Sequence, residues 1–171
     1  HARRGDRFHR LVQRHQVGIE PDELAESVAD DPDLAQWWQA YLAYTELHAL
    51  PGRRLPEHAL VTDLDGHRLQ AKYDLLVVDP SGAVTIFDWK TYARVPARAW
   101  LESRLQTRVY RYVLARAGVG PGIAPVAPEQ IRMIYWLPTH PAEPVTFTYS
   151  QPEFAQDEAA LAALLAEIDA K

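Results

Sequence analysis

The sequence predicts one domain of the α/β (α+β) class, in which a central mixed β-sheet is flanked by helices. Apolar residues recur at helical spacing before residue 51, alternate along residues 58–91 and return to helical spacing from residue 96. The dipeptide Asp65-Gly66 separates two alternating stretches and is a strong β-hairpin signal. No repeat or linker divides residues 1–171, so a single domain is expected. Because the only methionine is Met133, we expect the natural N-terminus to be trimmed.

The helices and strands follow from these spacings in chain order. Phe8, Leu11 and Val12 share one face of a predicted helix over residues 3–16. The acidic segment 19–50 is predicted to be a helical insertion, because Pro21 and the acids after it suit a helix N-terminus. The remaining predicted elements are helices over 21–30 and 33–48, strands over 58–64, 67–79 and 83–91, a helix over 96–117, strands over 130–137 and 144–149, and a helix over 152–170.

The composition excludes several classes of protein. With 47% apolar and 24% charged residues, the chain has the balance of a globular protein rather than a disordered one. It has no cysteine, which excludes disulfides, thiolate zinc sites and cysteine-ligated iron–sulfur clusters. No apolar run approaches the roughly 20 residues that span a bilayer, and no secretory signal is present. The chain is therefore predicted to be soluble and cytoplasmic, without a membrane partner.

Positive charge is concentrated in two predicted helical stretches, although the net charge of −5 at first argues against a nucleic-acid partner. Residues 1–18 carry a net charge of +4, and residues 91–116 carry +5. Arginines at helical spacing in both stretches are typical either of solvated basic faces or of a groove that binds phosphates. The candidate nucleic-acid-binding residues are Arg10, Arg14, Arg104, Arg108 and Arg111.

Two aspartates and a lysine are predicted to converge on neighbouring strands. Asp88 and Lys90 lie on the same face of the third strand, since side chains alternate along a strand. The hairpin brings Asp74, on the second strand, to a comparable depth. Buried charges destabilise a fold unless they are paired or bind a metal. Two interpretations stay open, namely an ion pair that fixes the strand register and a site for Mg²⁺ or Mn²⁺.

Four short motifs together resemble the PD-(D/E)XK nuclease superfamily, and within it the RecB-like branch. Their order and spacing match the pattern of that branch along residues 5–137. In chain order they are Gly5-x-x-Phe8-His9, Asp74, Asp88-Trp89-Lys90-Thr91 and Gln106-x-x-x-Tyr110. The resemblance implies a restriction-endonuclease-like core with the order α-β-β-β-α-β.

The resemblance also implies an activity and the residues that carry it. The activity is hydrolysis of DNA phosphodiester bonds, single-stranded or end-directed, in a role such as DNA repair. The implied ligands of Mg²⁺ or Mn²⁺ are His9, Asp74, Asp88 and the backbone carbonyl of Trp89. The implied catalytic residues are Lys90, Asp74, Asp88, Gln106 and Tyr110.

The sequence departs from the branch at one motif position and leaves two alternatives open. Ala71 stands where the branch has a glycine three residues before Asp74. The missing cysteines exclude the iron–sulfur cluster that some relatives carry. The first alternative is an inactive nuclease-like module that binds DNA or a protein. The second is a structural ion-pair core with an unrelated function.

Overall fold

The structure is a computed structural model that describes residues 2–120 and 123–171. The strands in chain order are β1 (Arg53–Leu64), β2 (His67–Val78), β3 (Val84–Trp89), β4 (Ile131–Trp136) and β5 (Val145–Thr148). The α-helices are α1 (Ala2–Gln16), α2 (Pro21–Ala25), α3 (Pro32–Leu42), α4 (Thr45–Ala49), α5 (Arg98–Ser103), α6 (Leu105–Ala117) and α7 (Gln151–Asp169). Short 3₁₀ turns span Glu26–Val28 and Pro128–Gln130. No helix among these residues has the length and apolar character needed to cross a membrane.

The five strands form one mixed sheet in the order β1-β2-β3-β4-β5. β2 runs antiparallel to both β1 and β3, β4 runs parallel to β3, and β5 is antiparallel to β4. β3 is the central strand, and each of its residues is buried because helices cover both faces of the sheet. The predicted α+β class, with a mixed sheet flanked by helices, is confirmed, and it is consistent with the restriction-endonuclease-like fold.

Each face of the sheet supports its own hydrophobic core. The α6 layer consists of α6 and α7 packed on residues such as Tyr73, Ile86 and Met133. The α1 layer consists of α1 and the helices of segment 19–50, packed on the opposite face around aromatic side chains. Phe87 and Trp89 point into the α1 layer, so the strand alternation predicted for β3 is present.

The helices of the acidic segment are shorter than predicted. Helix 33–48 is interrupted after Leu42, because Tyr44 leaves the helical conformation and its ring stacks on Trp136 at 5.0 Å between centroids. Ion pairs tie this segment to α1, and the shortest join Arg4 to Asp31 at 2.9 Å and Arg7 to Asp30 at 2.8 Å. The acidic segment therefore neutralises part of the basic charge of α1.

Two further boundaries differ from the prediction. The helix predicted over 96–117 is broken at Arg104, whose backbone is extended with φ −64° and ψ 141°. Its guanidinium lies outside the helices, where it bonds to Tyr92. β1 begins five residues before the predicted start, because residues 53–56 pair with the end of β2. Pro56 is tolerated there since β1 is an edge strand.

Candidate active site

The two aspartates lie where β2 and β3 separate. Pairing between these strands ends at Leu75 opposite Phe87, and Asp74 and Asp88 are the next residues in line. Asp74 Oδ2 accepts a hydrogen bond of 2.7 Å from the backbone N–H of Trp89. The carboxylate thus takes the place of a main-chain partner, and this bond fixes it beside the end of β3.

Asp88, Lys90 and Gln106 form a closed set of polar contacts. Lys90 Nζ lies 2.9 Å from Asp88 Oδ2 and donates a 2.9 Å hydrogen bond to Gln106 Oε1. The Gln106 amide donates through Nε2 to Asp88 Oδ1 at 3.0 Å. Because one end of the amide accepts and the other donates, its orientation is determined by these two partners. Gln106 therefore positions both charged groups.

One carboxylate oxygen of Asp88 has a single polar neighbour. The residue is 3% exposed, and among the described residues its Oδ2 meets only the Lys90 ammonium, 2.9 Å away. Burial and the charge of Asp74 raise the pKa of Asp88 to about 6, while Lys90 opposes this change. Two carboxylates repel each other in a water-poor site. An additional cation would relieve that repulsion.

His9 reaches the same carboxylates from α1. Its Nδ1 donates a hydrogen bond of 2.9 Å to the carbonyl of Gly5, and its Nε2 lies 3.4 Å from Asp74 Oδ2. Burial lowers the pKa of His9, but the hydrogen bond and charge of Asp74, with a smaller contribution from Asp88, raise it to about 9. The imidazole is thus held between the helix backbone and the carboxylate side of the site.

Gly5 allows α1 to approach the end of β3 closely. A Cβ atom at this position would lie 2.8 Å from Thr91 Oγ1, closer than side chains normally approach. The glycine of the Gly5-x-x-x-His9 motif therefore has a physical reason, since it brings the turn that carries His9 against the residue after Lys90. The motif spacing alone could not reveal this contact, because Thr91 lies far from Gly5 along the chain.

Tyr110 lies one helical turn after Gln106, on the same side of α6. Its ring centroid is 5.0 Å from that of Tyr73, whose hydroxyl donates to the Tyr110 carbonyl at 2.7 Å. Burial raises the pKa of the Tyr110 hydroxyl, Gln106 opposes this, and the charges of Asp88 and Asp74 add to it. The tyrosine therefore lies within the electrostatic reach of both carboxylates.

The predicted metal ligands are close to one another but are not arranged around a common point. Within the described ranges 2–120 and 123–171, no three histidine, aspartate or glutamate side chains are arranged to hold a metal ion. His9 pairs with Asp74, and Lys90 pairs with Asp88. The donor set nevertheless fits Mg²⁺ or Mn²⁺, because it offers hard carboxylate oxygens, among them the buried Asp88 Oδ2, and an imidazole nitrogen.

The five candidate nucleic-acid-binding arginines differ in their surroundings. Arg10 and Arg14 are exposed on α1 and, with Arg7, line a groove of about 320 Å³. The Arg108 side chain is 43% exposed and lies 3.9 Å from Asp157. Arg104 bonds to the hydroxyl of Tyr92 at 2.8 Å.

Arg111 is a correction to the predicted basic face. It is 5% exposed, and its guanidinium donates to the carbonyls of Thr107 and Thr148 and pairs with Glu153 at 3.2 Å. A guanidinium held in this way is not available to a phosphate. Helical spacing alone could not reveal this, because the covering residues come from β5 and α7, about forty positions further along the chain.

The chain as a whole matches the family model of the PD-(D/E)XK nuclease superfamily over residues 1–171. The protein therefore belongs to this superfamily, whose members are generally nucleases that use divalent metal ions. No curated protein matches the chain. A solved structure described as the crystal structure of SSO0001 is 13% identical, with a TM-score of 0.37, and the match covers 92% of this chain and 74% of that one. That likeness is too low to support an argument.

Proposed function

We propose that the protein is a divalent-metal-dependent deoxyribonuclease of the RecB-like branch. The observation that carries this proposal is the convergence of His9, Asp74, Asp88 and Lys90 at the point where β2 and β3 separate. On the strands, two carboxylates face one lysine, so the second carboxylate needs a further positive charge. That charge comes either from protonated His9 or from a metal ion that His9 would help to bind.

The residues that would hold Mg²⁺ or Mn²⁺ are His9, Asp74, Asp88 and the backbone carbonyl of Trp89. Bound there, the ion would neutralise charge that develops on the phosphoryl oxygens and make a water molecule more acidic. To act as a ligand, His9 must lose its Nε2 proton, while its Nδ1–H remains on the Gly5 carbonyl. Gly5 thus contributes both a close approach and the acceptor that orients the imidazole.

Lys90 is the residue that would act on water and phosphate. Its ammonium is held between Asp88 and Gln106, so it is directed at the carboxylate side of the site. From there it would position or activate the attacking water and offset the negative charge of the transition state. Gln106 acts as a positioning residue for this lysine. Tyr110, one turn after Gln106 on α6, would orient the nucleic-acid strand.

The assignment to the RecB-like branch rests on the motif order and on two contacts. His9, the histidine of the Gly5-x-x-x-His9 motif, lies 3.4 Å from Asp74. Gln106, the glutamine of the Gln106-x-x-x-Tyr110 motif, contacts both Lys90 and Asp88. The preference for DNA, for single strands or ends, and a role in DNA repair follow from the resemblance to that branch.

Cleavage of labelled DNA by the wild type and by Lys90→Ala tests this function. We expect the wild type with Mn²⁺ to cut single-stranded DNA, and the variant to be slower by a factor on the order of 10² or more. Lys72→Ala is the matched control, because this lysine lies on neighbouring β2 with its side chain 62% exposed and pairs with Glu57. Equal cleavage by wild type and Lys90→Ala would contradict the proposal. DNA binding without any cleavage would favour the inactive module instead.

A further inference from the structure

An exposed aromatic hollow lies beside the candidate active site. Trp100 is 49% exposed, and its ring centroid lies 6.4 Å from that of Tyr92, with an angle of 67° between the ring planes. With Pro96 and Ala97, the two rings line a hollow of about 460 Å³ whose walls are almost entirely apolar. The other four tryptophans, all within the described ranges, are at most 6% exposed. Trp100 is therefore unlike every other tryptophan of the chain.

Arg104 holds the two rings together at the edge of this hollow. Its guanidinium lies 5.0 Å from the centroid of the Trp100 ring and donates a 2.8 Å hydrogen bond to the Tyr92 hydroxyl. In the described part of the chain, that hydroxyl is the one hydrogen-bond acceptor of the guanidinium, which has five N–H donors in all. The backbone of Tyr92 is anchored in turn, because Thr139 Oγ1 donates to its carbonyl at 2.8 Å.

The chain connects this hollow directly to the site. Tyr92 follows Lys90 by two residues, and Arg104 precedes Gln106 by two. Lys90 and Gln106 are themselves joined by a hydrogen bond. Two residues span at most about 7 Å along the backbone, so the Cα atoms of Tyr92 and Arg104 lie close to those of Lys90 and Gln106. A base in the hollow and a phosphate at the site could therefore belong to one short stretch of a bound strand.

We propose that the hollow holds an unpaired nucleobase of the nucleic-acid strand bound at the site, an inference that rests on the proposed function. Aromatic side chains stack on any base. The Arg104 guanidinium, at the edge of the hollow, can pair with the phosphate next to that base. An apolar protein segment would instead bury this charge without a partner. A paired base is covered by its neighbours on both faces, so the hollow selects single strands over duplexes.

Trp100 fluorescence in the metal-free protein tests this inference separately from catalysis. The probes are a short oligothymidylate and an abasic oligomer with the same number of phosphates. We expect oligothymidylate to quench the exposed tryptophan and the abasic oligomer to leave it unchanged. Trp100→Ala should weaken oligothymidylate binding about five- to tenfold, towards the lower part of the effect measured for stacked bases. Its affinity for the abasic oligomer should not change.

Two further variants distinguish the loss of a stacking ring from a general disturbance of the fold. Trp100→Phe keeps a ring for stacking and should retain most of the affinity. Ile168→Ala removes another exposed apolar side chain, 63% exposed on α7, and should bind like the wild type. If Trp100→Ala binds both oligomers as the wild type does, the inference is overturned even when Lys90-dependent cleavage is present. Base-dependent quenching without cleavage would keep the stacking site and reject the nuclease.

Discussion

Helices α1 and α6 approach the same site from opposite faces of the sheet, and they are held there by different means. α1 places His9 at the site through a close backbone approach. This approach requires Gly5, because a Cβ atom at that position would clash with Thr91. α6 delivers Gln106 through hydrogen bonds, and buried polar contacts hold the rest of the helix to β5 and α7. The position of α1 therefore depends on the small size of one residue, whereas the position of α6 depends on a network of hydrogen bonds.

The arginines of the two helices show the same difference. Both helices carry arginines three and four residues apart, a pattern that predicted two equivalent basic faces. On α1, Arg4 and Arg7 pair with acids of segment 19–50. Arg10 and Arg14 remain exposed and pair with no acid among the described residues. On α6, Arg111 is buried against the Thr148 carbonyl, and Arg116 pairs with Glu158 of α7 at 3.2 Å. Spacing therefore identifies a helix face, but the elements packed on that face decide whether its charge is available to a ligand.

The largest expected effect is a difference in stability between the variants Arg111→Ala and Arg10→Ala. Arg111→Ala removes a buried guanidinium that serves two backbone carbonyls, so the free energy of unfolding should fall by about 2–4 kcal/mol. Arg10→Ala changes an exposed side chain and should stay within about 0.5 kcal/mol of the wild type. Urea denaturation of both variants measures the difference.

DNA binding should show the opposite order for these two variants. If Arg10 contacts a phosphate, its removal should reduce the slope of log affinity against log salt by about 1, whereas Arg111→Ala should leave the slope unchanged while the protein remains folded. Equal stability of both variants, or an equal loss of salt dependence, would show that the two helices do not differ in the way described.

Gly5→Ala tests the close approach of α1. Alanine favours the helix by up to about 1 kcal/mol, which offsets the contact of its Cβ with Thr91, so stability should change little. The turn that carries His9 must move by a few tenths of an ångström, and we expect DNA cleavage to slow about tenfold. Thr91→Ala removes the contacted hydroxyl and serves as the second arm of a double-mutant cycle. Activity that is not restored in the double variant would exclude this contact as the cause.

The smallest expected effect concerns the packing of α1 on α3. The His15 Nδ1 atom lies 2.8 Å from the hydroxyl of Tyr41, which also accepts a hydrogen bond from Gln16. A neutral ring suits this contact, because an unprotonated Nδ1 can accept a hydrogen bond from the Tyr41 hydroxyl. Burial, with a smaller contribution from the nearby His48, lowers the pKa of His15 below its usual 6.5.

The sign of the pH effect follows from that lowered pKa. Below pH 6.5 the unfolded chain takes up a proton at His15 before the folded protein does, so this residue contributes less stability as the pH falls. His15→Phe cannot titrate at this position. The difference in unfolding free energy between wild type and His15→Phe should therefore shrink from pH 8 towards pH 5. A difference that does not vary with pH would contradict this assignment.

Most of the fold could be predicted from the sequence, because its signals are local. Each signal is contained within a few residues. These signals are the change to alternating apolar residues after Glu57, the Asp65-Gly66 hairpin and the alternation along β3. The helix boundaries near Tyr44 and Arg104 could not be predicted, because both depend on distant partners, Trp136 for the first and Tyr92 for the second.

The candidate site divides in the same way. The proximity of Asp74, Asp88 and Lys90 follows from strand alternation and a hairpin, so the sequence could predict it. The burial of Arg111 and the exposure of Trp100 could not be predicted, since they are determined by which elements cover α5 and α6.

Calorimetric titration of Mn²⁺ tests most directly whether the two strand aspartates form one metal site. We expect the wild type to bind Mn²⁺, and we expect Asp74→Asn and Asp88→Asn each to abolish that binding. Asp63→Asn is the matched control, because this aspartate lies exposed on β1, and it should bind as the wild type does. Binding that survives in both Asp74→Asn and Asp88→Asn would contradict the proposed metal site.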